Sequence, residues 1–296
     1  MLSLHTNTAS LSGQNALTST NKALSTSLTR LSTGYRVNSA MDDAAGLQIA
    51  TRLNAQTRGM AVAQRNTQNG ISMMQTAEGA FAEVTNILLR QKDLLTEGAT
   101  ASTTQEDRVA LQAEYDALGL ELSNIIRNTS FGGTELFSDG SSVTGTGGLL
   151  SSTALTFQIG ASSGETMAVN TQADLTALTT ALAAVSSNFT TAAAGAELGT
   201  TTTTVANGNL ADLDAALTAV GKFRSTLGAA SNRLEHVFNN LGNMSLNTQA
   251  ASGRIMDVDY ASESANMTTK QMLMQAGTSM LKQSNSMSQL ALSLLQ

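Results

Sequence analysis

Side chains that could act as acids, bases or metal ligands are few in this chain of 296 residues. Asp42 and Asp43 form an adjacent carboxylate pair, of a kind that can transfer protons or bind a metal ion. Neighbouring residues on a helix point about 100° apart, and no His, Cys or third carboxylate lies close to the pair in the sequence. We therefore interpret both as first-turn residues of a helix, where the helix dipole favours negative charge.

The two histidines suggest no catalytic or metal site. His5 and His236 fall in different predicted elements, and the chain has no cysteine. A zinc site would need further ligands, and a Ser/His/Asp triad would have to use one of these two histidines. The sequence also has no GxxxxGK[ST] loop and no GxGxxG turn after a strand. We therefore predict a protein that is not an enzyme and that needs no cofactor or metal.

Composition restricts the class of partner. With 16 Lys+Arg against 22 Asp+Glu the net charge is -6, which argues against nucleic-acid binding. No apolar run is long enough for a membrane span, and the opening residues lack the basic and apolar regions of a secretory signal. Proline is absent and aromatic residues make up 3%. Long unkinked helices around an aliphatic core are expected.

Apolar residues repeat every seven positions at both ends of the chain. One C-terminal line consists of Met267, Met274 and Leu281, and a second consists of Leu273, Met280, Met287 and Leu294. Near the N terminus, Leu17, Leu24 and Leu31 keep the same interval. A spacing of seven returns a side chain to nearly the same helix face, so we predict that the two C-terminal lines form one seam of the coiled-coil type. Since such a helix is only marginally stable alone, we expect the ends to pair with each other or with copies of the chain, as a self-assembly seam.

The residues between the ends complete the predicted fold. The predicted elements are a long helix over 44–97, a helix beginning at a capping box of Thr103 and Glu106, a β-hairpin of 155–159 and 167–169, a short helix over 174–185 and a heptad-patterned helix from Leu210. We predict a mainly α fold, a long antiparallel coiled-coil-like helical bundle whose N- and C-terminal helices are paired. A small β-hairpin module lies in the middle.

Several longer stretches resemble bacterial flagellin. They are RLSTGYRVNSAMDDAAGLQIA at 30–50, RNTQNGISMMQTAEGA at 65–80, FQIGASSGET at 157–166, LGAASNRLEHVFNNLGN at 227–243 and DVDYASESANMTTKQMLMQAGTSML at 257–281. The resemblance covers roughly 1–170 and 208–296. Because several long motifs occur in the family's order, the chain is identified as a member of that family.

The resemblance implies an organisation in layers. Residues 1–40 and 256–296 would form the terminal helices of an inner tube. Residues 41–140 and 206–255 would form a surrounding helical shell, with a β-hairpin near 141–170. Residues 171–205 would be a short variable surface insert.

The resemblance also implies a function and partners. The chain would polymerise with many identical subunits into the extracellular bacterial flagellar filament for swimming motility. It would be exported unfolded through the flagellar secretion channel. Its further partners would be the flagellar export chaperone, the cap protein and the hook-junction proteins.

One receptor contact is implied by the same resemblance. The stretch LLRQKDLL at 88–95 is similar to the segment by which the vertebrate toll-like receptor for flagellin recognises some members of the family. Arg90, Leu94 and Glu114 occupy the matching positions, whereas Gln91, Lys92, Asp93 and Thr96 depart from the family pattern. A structural alternative is that Arg90 and Glu114 bridge two packed helices.

Three other interpretations remain open from the sequence. A hook-filament junction protein shares the paired ends but matches the internal signatures poorly. A flagellin with an enzyme inserted in its middle would need a motif such as HExxH, which is absent. A soluble coiled-coil adaptor would show heptads without carrying DDAAGL, NGIS and QAGTSML together.

Overall fold

The fold is that of a computed structural model, which describes residues 7–140, 143–190, 195–198 and 203–293, and of 203–208 and 287–293 the backbone alone. The helices are α1 (Thr8–Thr33), α2 (Ala44–Gly98), α3 (Gln105–Asn128), α4 (Gln172–Val185), α5 (Ser187–Thr190), α6 (Thr203–Met256) and α7 (Tyr260–Ser293), with a 3-10 turn at Leu149–Ser151. The strands are β1 (Ser130–Phe131), β2 (Thr134–Glu135), β3 (Leu155–Gln158) and β4 (Thr166–Val169). This confirms the predicted mainly α class with a small β module. Within the described residues, none of the helices has both the length and the apolar character of a membrane span.

Local hydrogen bonds explain where the helices begin: α2 begins at Ala44 as predicted, and α3 begins one residue later than predicted. Asp43 precedes α2 and caps it, because its Oδ1 accepts the Gly46 backbone N–H at 2.8 Å. At α3 the capping box consists of Thr104 and Asp107, not of Thr103 and Glu106. Both Thr–acid pairs fit the sequence pattern of a capping box. The backbone geometry at Thr104 allows both reciprocal hydrogen bonds of the box to form with Asp107.

The chain divides into two compact units. The first comprises 1–57 and 245–296, and the second comprises 58–244. The boundaries between these units fall inside α2 and α6. The layers predicted from the sequence, with limits at 40/41 and 255/256, stay a prediction.

In the second unit, α2 and α6 pack antiparallel. Glu78 lies 3.7 Å from Arg224, and further along α2 the Lys92 Nζ lies 2.6 Å from the Asp214 carboxylate. Residue numbers therefore rise on one helix as they fall on the other. Ion pairs as exposed as these contribute little stability, so they indicate only the register of α2 against α6. Burial of apolar side chains provides the stability.

Three phenylalanines lie at the centre of that core. The Phe81 ring packs edge-on against Phe137 at 4.7 Å and against Phe223 at 4.8 Å, measured between ring centroids. All three side chains are fully buried. Aromatic pairs in this geometry stabilise beyond their buried area by about 0.5 to 1.5 kcal/mol each, so these few rings join α2 and α6 to the segment after β2.

Two antiparallel hairpins make up the β structure. Strands β3 and β4 pair from Leu155 opposite Val169 to Gln158 opposite Thr166, which confirms the predicted hairpin. Strands β1 and β2 were not predicted. Their two-residue turn is Gly132 and Gly133, both at positive φ, and a Gly-Gly pair is a signal for such a turn.

The segment expected to be a surface insert contributes to the core instead. The α4 side chains Leu175, Leu178 and Leu182 and the α5 side chain Phe189 are buried in the same cluster as the phenylalanines. Tyr115 of α3 donates its hydroxyl to the Val185 carbonyl at 2.7 Å. The expectation of a surface insert is therefore wrong for the described part of 171–205. The small residues between these leucines, Ala and Thr, made the apolar face of the segment less distinct in the sequence.

Glu197 connects the end of this segment to the neighbouring helices through hydrogen bonds. Its Oε1 accepts hydrogen bonds from the Ser187 backbone N–H and hydroxyl, both at 2.8 Å. Its Oε2 accepts from Gln112 Nε2 at 2.7 Å, and its backbone carbonyl accepts from Asn209 Nδ2 at 2.6 Å. Partial burial works to raise the pKa of Glu197, but the hydrogen bonds from Ser187 and Gln112 lower it, and the net result lies below the ordinary value of 4.5.

Glu197→Gln should destabilise the monomer by about 1 kcal/mol near neutral pH, because it replaces a charged acceptor that holds three donors. A carboxyl whose folded-state pKa is lowered adds stability above its unfolded pKa and loses it as the pH falls through the folded value. The difference in free energy of unfolding between wild type and Glu197→Gln should therefore shrink from about pH 7 to about pH 3. Urea titrations test this, with Glu121→Gln as control, since Glu121 is exposed and bonds to Asn124 of its own helix. A difference that does not vary with pH would contradict this role for Glu197.

Candidate self-assembly surface

Helices α1 and α7 of the first unit lie against each other in antiparallel orientation. Near the start of α1, the Asn7 Nδ2 donates to the Ser284 hydroxyl at 3.4 Å. Near its end, Arg30 lies 3.8 Å from the Glu263 carboxylate. Low numbers on α1 thus face high numbers on α7, and the predicted pairing of the two ends occurs within one chain.

The base of this pair is fixed by backbone hydrogen bonds. Gly34 ends α1 in the left-handed region at φ 76°, and its carbonyl accepts the Val258 N–H at 3.0 Å. The Arg36 N–H donates to the Met256 carbonyl at 2.6 Å, and the Arg36 side chain donates to the Ile255 carbonyl at 2.8 Å. A Cβ at position 34 would lie 2.9 Å from the Tyr260 hydroxyl, so position 34 requires glycine for both its φ and the close contact.

Glycine and leucine interlock along the pair. A Cβ added at Gly13 would lie 3.1 Å from Leu281 Cδ2, and one added at Gly277 would lie 3.1 Å from Leu17 Cδ1. Each leucine thus occupies the space left by a glycine on the facing helix. This reciprocal arrangement fixes the register and lets the two backbones approach closely.

The eight predicted seam residues whose side chains are described differ in burial within one chain. Leu24 is buried, and Leu17, Leu31, Met267, Met274 and Leu281 are half-buried. In contrast, Leu273 is 51% and Met280 is 71% exposed. The side chain of Met287 and all of Leu294 lie outside the described residues.

Helix geometry explains why the two C-terminal lines differ in burial. The two C-terminal lines are offset by one residue, as in Leu273 and Met274, and one residue rotates a side chain by about 100°. The half-buried positions that accompany Met267, Met274 and Leu281 are instead Lys270, Gly277 and Ser284. The line of Leu273 and Met280 is left on an outer face.

An open groove of about 310 Å³ follows from this arrangement. Gly13, Leu17, Gly277 and Leu281 line it together with Ala9, Ala16, Thr20, Leu273, Met280 and Ser284. Small residues leave room in the groove, and the exposed Met280 adds an adaptable apolar wall. The groove could receive apolar side chains of another helix.

The residues of the receptor prediction lie in the second unit. Arg90 of α2 donates from Nε to Glu114 Oε1 of α3 at 2.8 Å, and both side chains are about half exposed. Leu94 is fully buried, because it lies on the core-facing line of α2. Leu94 is therefore not accessible in this structure, whereas Arg90 and Glu114 are accessible and bridge two helices. The receptor contact of these three residues stays a prediction.

Asp42 and Asp43 have separate local partners. Asp42 accepts the Ser39 backbone N–H at 2.9 Å and its hydroxyl at 3.0 Å. These bonds from Ser39 lower the pKa of the Asp42 carboxyl. Asp43 caps α2 as described above. In the described residues, no group of three or more His, Cys, Asp or Glu could hold a metal ion.

The fold defines a class of protein, a helical subunit whose N- and C-terminal helices are paired. Comparison with known proteins identifies the family. The N-terminal helical region of bacterial flagellin matches residues 4–142 and the C-terminal helical region matches 210–295. Flagellin C of Vibrio cholerae serotype O1 is 35% identical over 385 aligned residues, covering 99% of each chain. Flagellin of Halalkalibacterium halodurans is 39% identical over 267 residues, covering 90% of this chain and 89% of the relative.

The chain belongs to the bacterial flagellin family. It is a structural subunit of the flagellar filament and works outside the cell. A solved structure described as a flagellar hook-associated protein of Vibrio parahaemolyticus has a TM-score of 0.53 at 18% identity, covering 73% of this chain and 100% of that one. That likeness concerns the fold alone and does not favour the junction alternative.

Gly277→Leu should disrupt the pairing of α1 with α7, because the new side chain would overlap Leu17. Overpacking of this kind costs about 1 to 3 kcal/mol. Sedimentation after seeding with short filament fragments should show loss of polymer. Gly79→Leu is the matched control, because it makes the same helix-favouring change at a position where no other described side chain lies within 4 Å. Equal polymer from the two variants would contradict the interlock.

Proposed function

We propose that the groove between α1 and α7 is the surface through which one subunit binds the terminal helices of another in the filament. The observation that supports this most directly is the exposure of Leu273 and Met280, at 51% and 71%, beside a groove whose lining includes two glycines. Both side chains line the groove and extend its exposed apolar surface, and a contiguous exposed apolar surface marks a site for a partner. In a polymer of identical subunits that partner is another copy.

The seam residues then divide into two roles. Leu17, Leu24, Leu31, Met267, Met274 and Leu281 hold α1 to α7 inside one subunit. Leu273 and Met280 bind the adjacent subunit, together with Met287 and Leu294. Residues 1–40 and 256–296 form the inner tube under this proposal, and 41–140 with 206–255 form the shell around it.

The wider cycle of the subunit is also proposed. The chain is exported unfolded through the flagellar secretion channel, with an export chaperone before export and the cap and hook-junction proteins at the filament. Its role is purely structural, without catalysis. Membership of a structural family supports the structural role. Several apolar side chains of the terminal pair, among them Leu11, Leu273 and Met280, are exposed and available to neighbouring chains.

Met280→Glu should abolish seeded polymerisation, because it would bury a charge without a partner between subunits. Gln275→Glu is the control, since it adds the same charge at an exposed position on a different face of α7. Deletion of 267–296 should likewise leave the chain unpolymerised. Sedimentation and electron microscopy give the readout. Filaments of normal length from Met280→Glu would contradict the assignment of the groove.

Recognition of the monomer by the vertebrate toll-like receptor for flagellin is a second proposal, limited to Arg90 and Glu114. Arg90→Ala should lower the receptor response by about tenfold, which corresponds to losing about 1.4 kcal/mol of binding free energy. Arg65→Ala is the control, because Arg65 is an exposed arginine elsewhere on α2. A receptor-reporter assay on monomeric protein measures it. If both variants signal like wild type, Arg90 is a structural bridge only.

A further inference from the structure

Methionine is the side chain of this protein that oxidants attack most readily. The sequence has 13 methionines and neither cysteine nor tryptophan. Oxidation of a thioether requires access to its sulfur. Met60, Met73, Met74 and Met167 are 4% exposed or less, so the core protects them. Oxidation of the folded chain is therefore directed to the methionines at the surface.

Two methionines of α7 are more than half exposed and differ in where they lie. Met280 is 71% exposed and Met272 is 58% exposed. Met280 lines the groove between α1 and α7, whereas Met272 lies outside that lining. A separation of eight residues turns a side chain by about 80° on a helix, so the two face different directions. They offer an oxidant similar access at two different places.

The groove suits a thioether at position 280 and does not suit a sulfoxide. The described residues that line it are apolar or small, and two of them carry a hydroxyl, Thr20 and Ser284. Thr20 donates to the Ala16 carbonyl at 2.9 Å, and Ser284 accepts from Asn7 at 3.4 Å. Both hydroxyls therefore already have partners. A sulfoxide oxygen on Met280 would gain no donor from its own groove, and covering it without a donor would weaken binding.

We propose that Met280 is a modification site for peroxides, at which oxidation to methionine sulfoxide prevents the subunit from binding its neighbour. Oxidation converts a flexible apolar side chain into a polar one, which disrupts interfaces that contain methionine. The inference rests on the proposed function of the groove and adds a means of regulating it.

The reaction needs only the thioether and the peroxide. The Met280 sulfur attacks one oxygen of hydrogen peroxide, so that an S–O bond forms as the O–O bond breaks. The departing hydroxide takes the remaining proton and leaves as water. The sulfur loses two electrons and is oxidised, and the peroxide gains them and is reduced. Methionine sulfoxide reductases, one for each epimer, reverse the change, so the loss of binding is reversible.

The division of oxidised chains between polymer and solution tests the proposal. Full-length monomer is treated with hydrogen peroxide until each chain carries about one sulfoxide, and it is then seeded with short filament fragments and sedimented. Peptide mass spectrometry gives the sulfoxide content of each methionine in pellet and supernatant. Sulfoxide at Met280 should be about tenfold enriched in the supernatant. Sulfoxide at Met272 should divide evenly, which makes it the control within the same chains.

A second measurement separates the sulfur from the position. Met280→Leu and Met272→Leu are each assembled with and without the same peroxide treatment, and each variant is compared with its own untreated sample. Met280→Leu should lose clearly less polymer than wild type does, because leucine has no sulfur to oxidise. Met272→Leu should lose as much as wild type. Treatment of oxidised wild type with both sulfoxide reductases should restore its polymer.

Each outcome decides between the modification site and the function on which it rests. Even division of Met280 sulfoxide, or equal enrichment of Met272 sulfoxide, overturns the modification site. The proposed function of the groove still stands in that case if Met280→Glu blocks polymerisation. If Met280→Glu polymerises normally, the groove is not the binding surface, and this inference fails with it.

Discussion

Incomplete burial of the α1–α7 pair is the constraint on which the rest of this protein depends. Among the described side chains of the two helices, Leu24 is the one large apolar residue that is buried, whereas Leu11, Leu273 and Met280 are half exposed or more. Ordering so long a helix costs far more conformational entropy than one buried leucine returns. The second unit is different, because it has its own core around Phe81. We therefore expect order in the terminal helices to be coupled to assembly.

The glycine and leucine interlock shows how a weakly buried pair can still be specific. Gly13 faces Leu281 and Gly277 faces Leu17, so a shift of α7 by one residue would place leucine against a side chain instead of a glycine. Apolar burial alone discriminates poorly between registers in a helix whose outer face also carries Met and Leu. The backbone bonds of Gly34 and Arg36 at the base limit sliding further. The register of α1 against α7 is thus set within one chain. We expect the affinity between subunits to come from contacts with neighbouring chains.

The sequence patterns predicted the helices and the main hairpin well, because their periodicities extend over many turns. The errors arose where the pattern permits two close alternatives. Thr103 and Thr104 each have an acidic residue three positions later, and only backbone geometry selects Thr104. A spacing of seven marks a helix face, but it does not say which of two lines, one residue apart, faces the partner. The burial of α4 was missed because Leu175, Leu178 and Leu182 are few against the surrounding Ala and Thr.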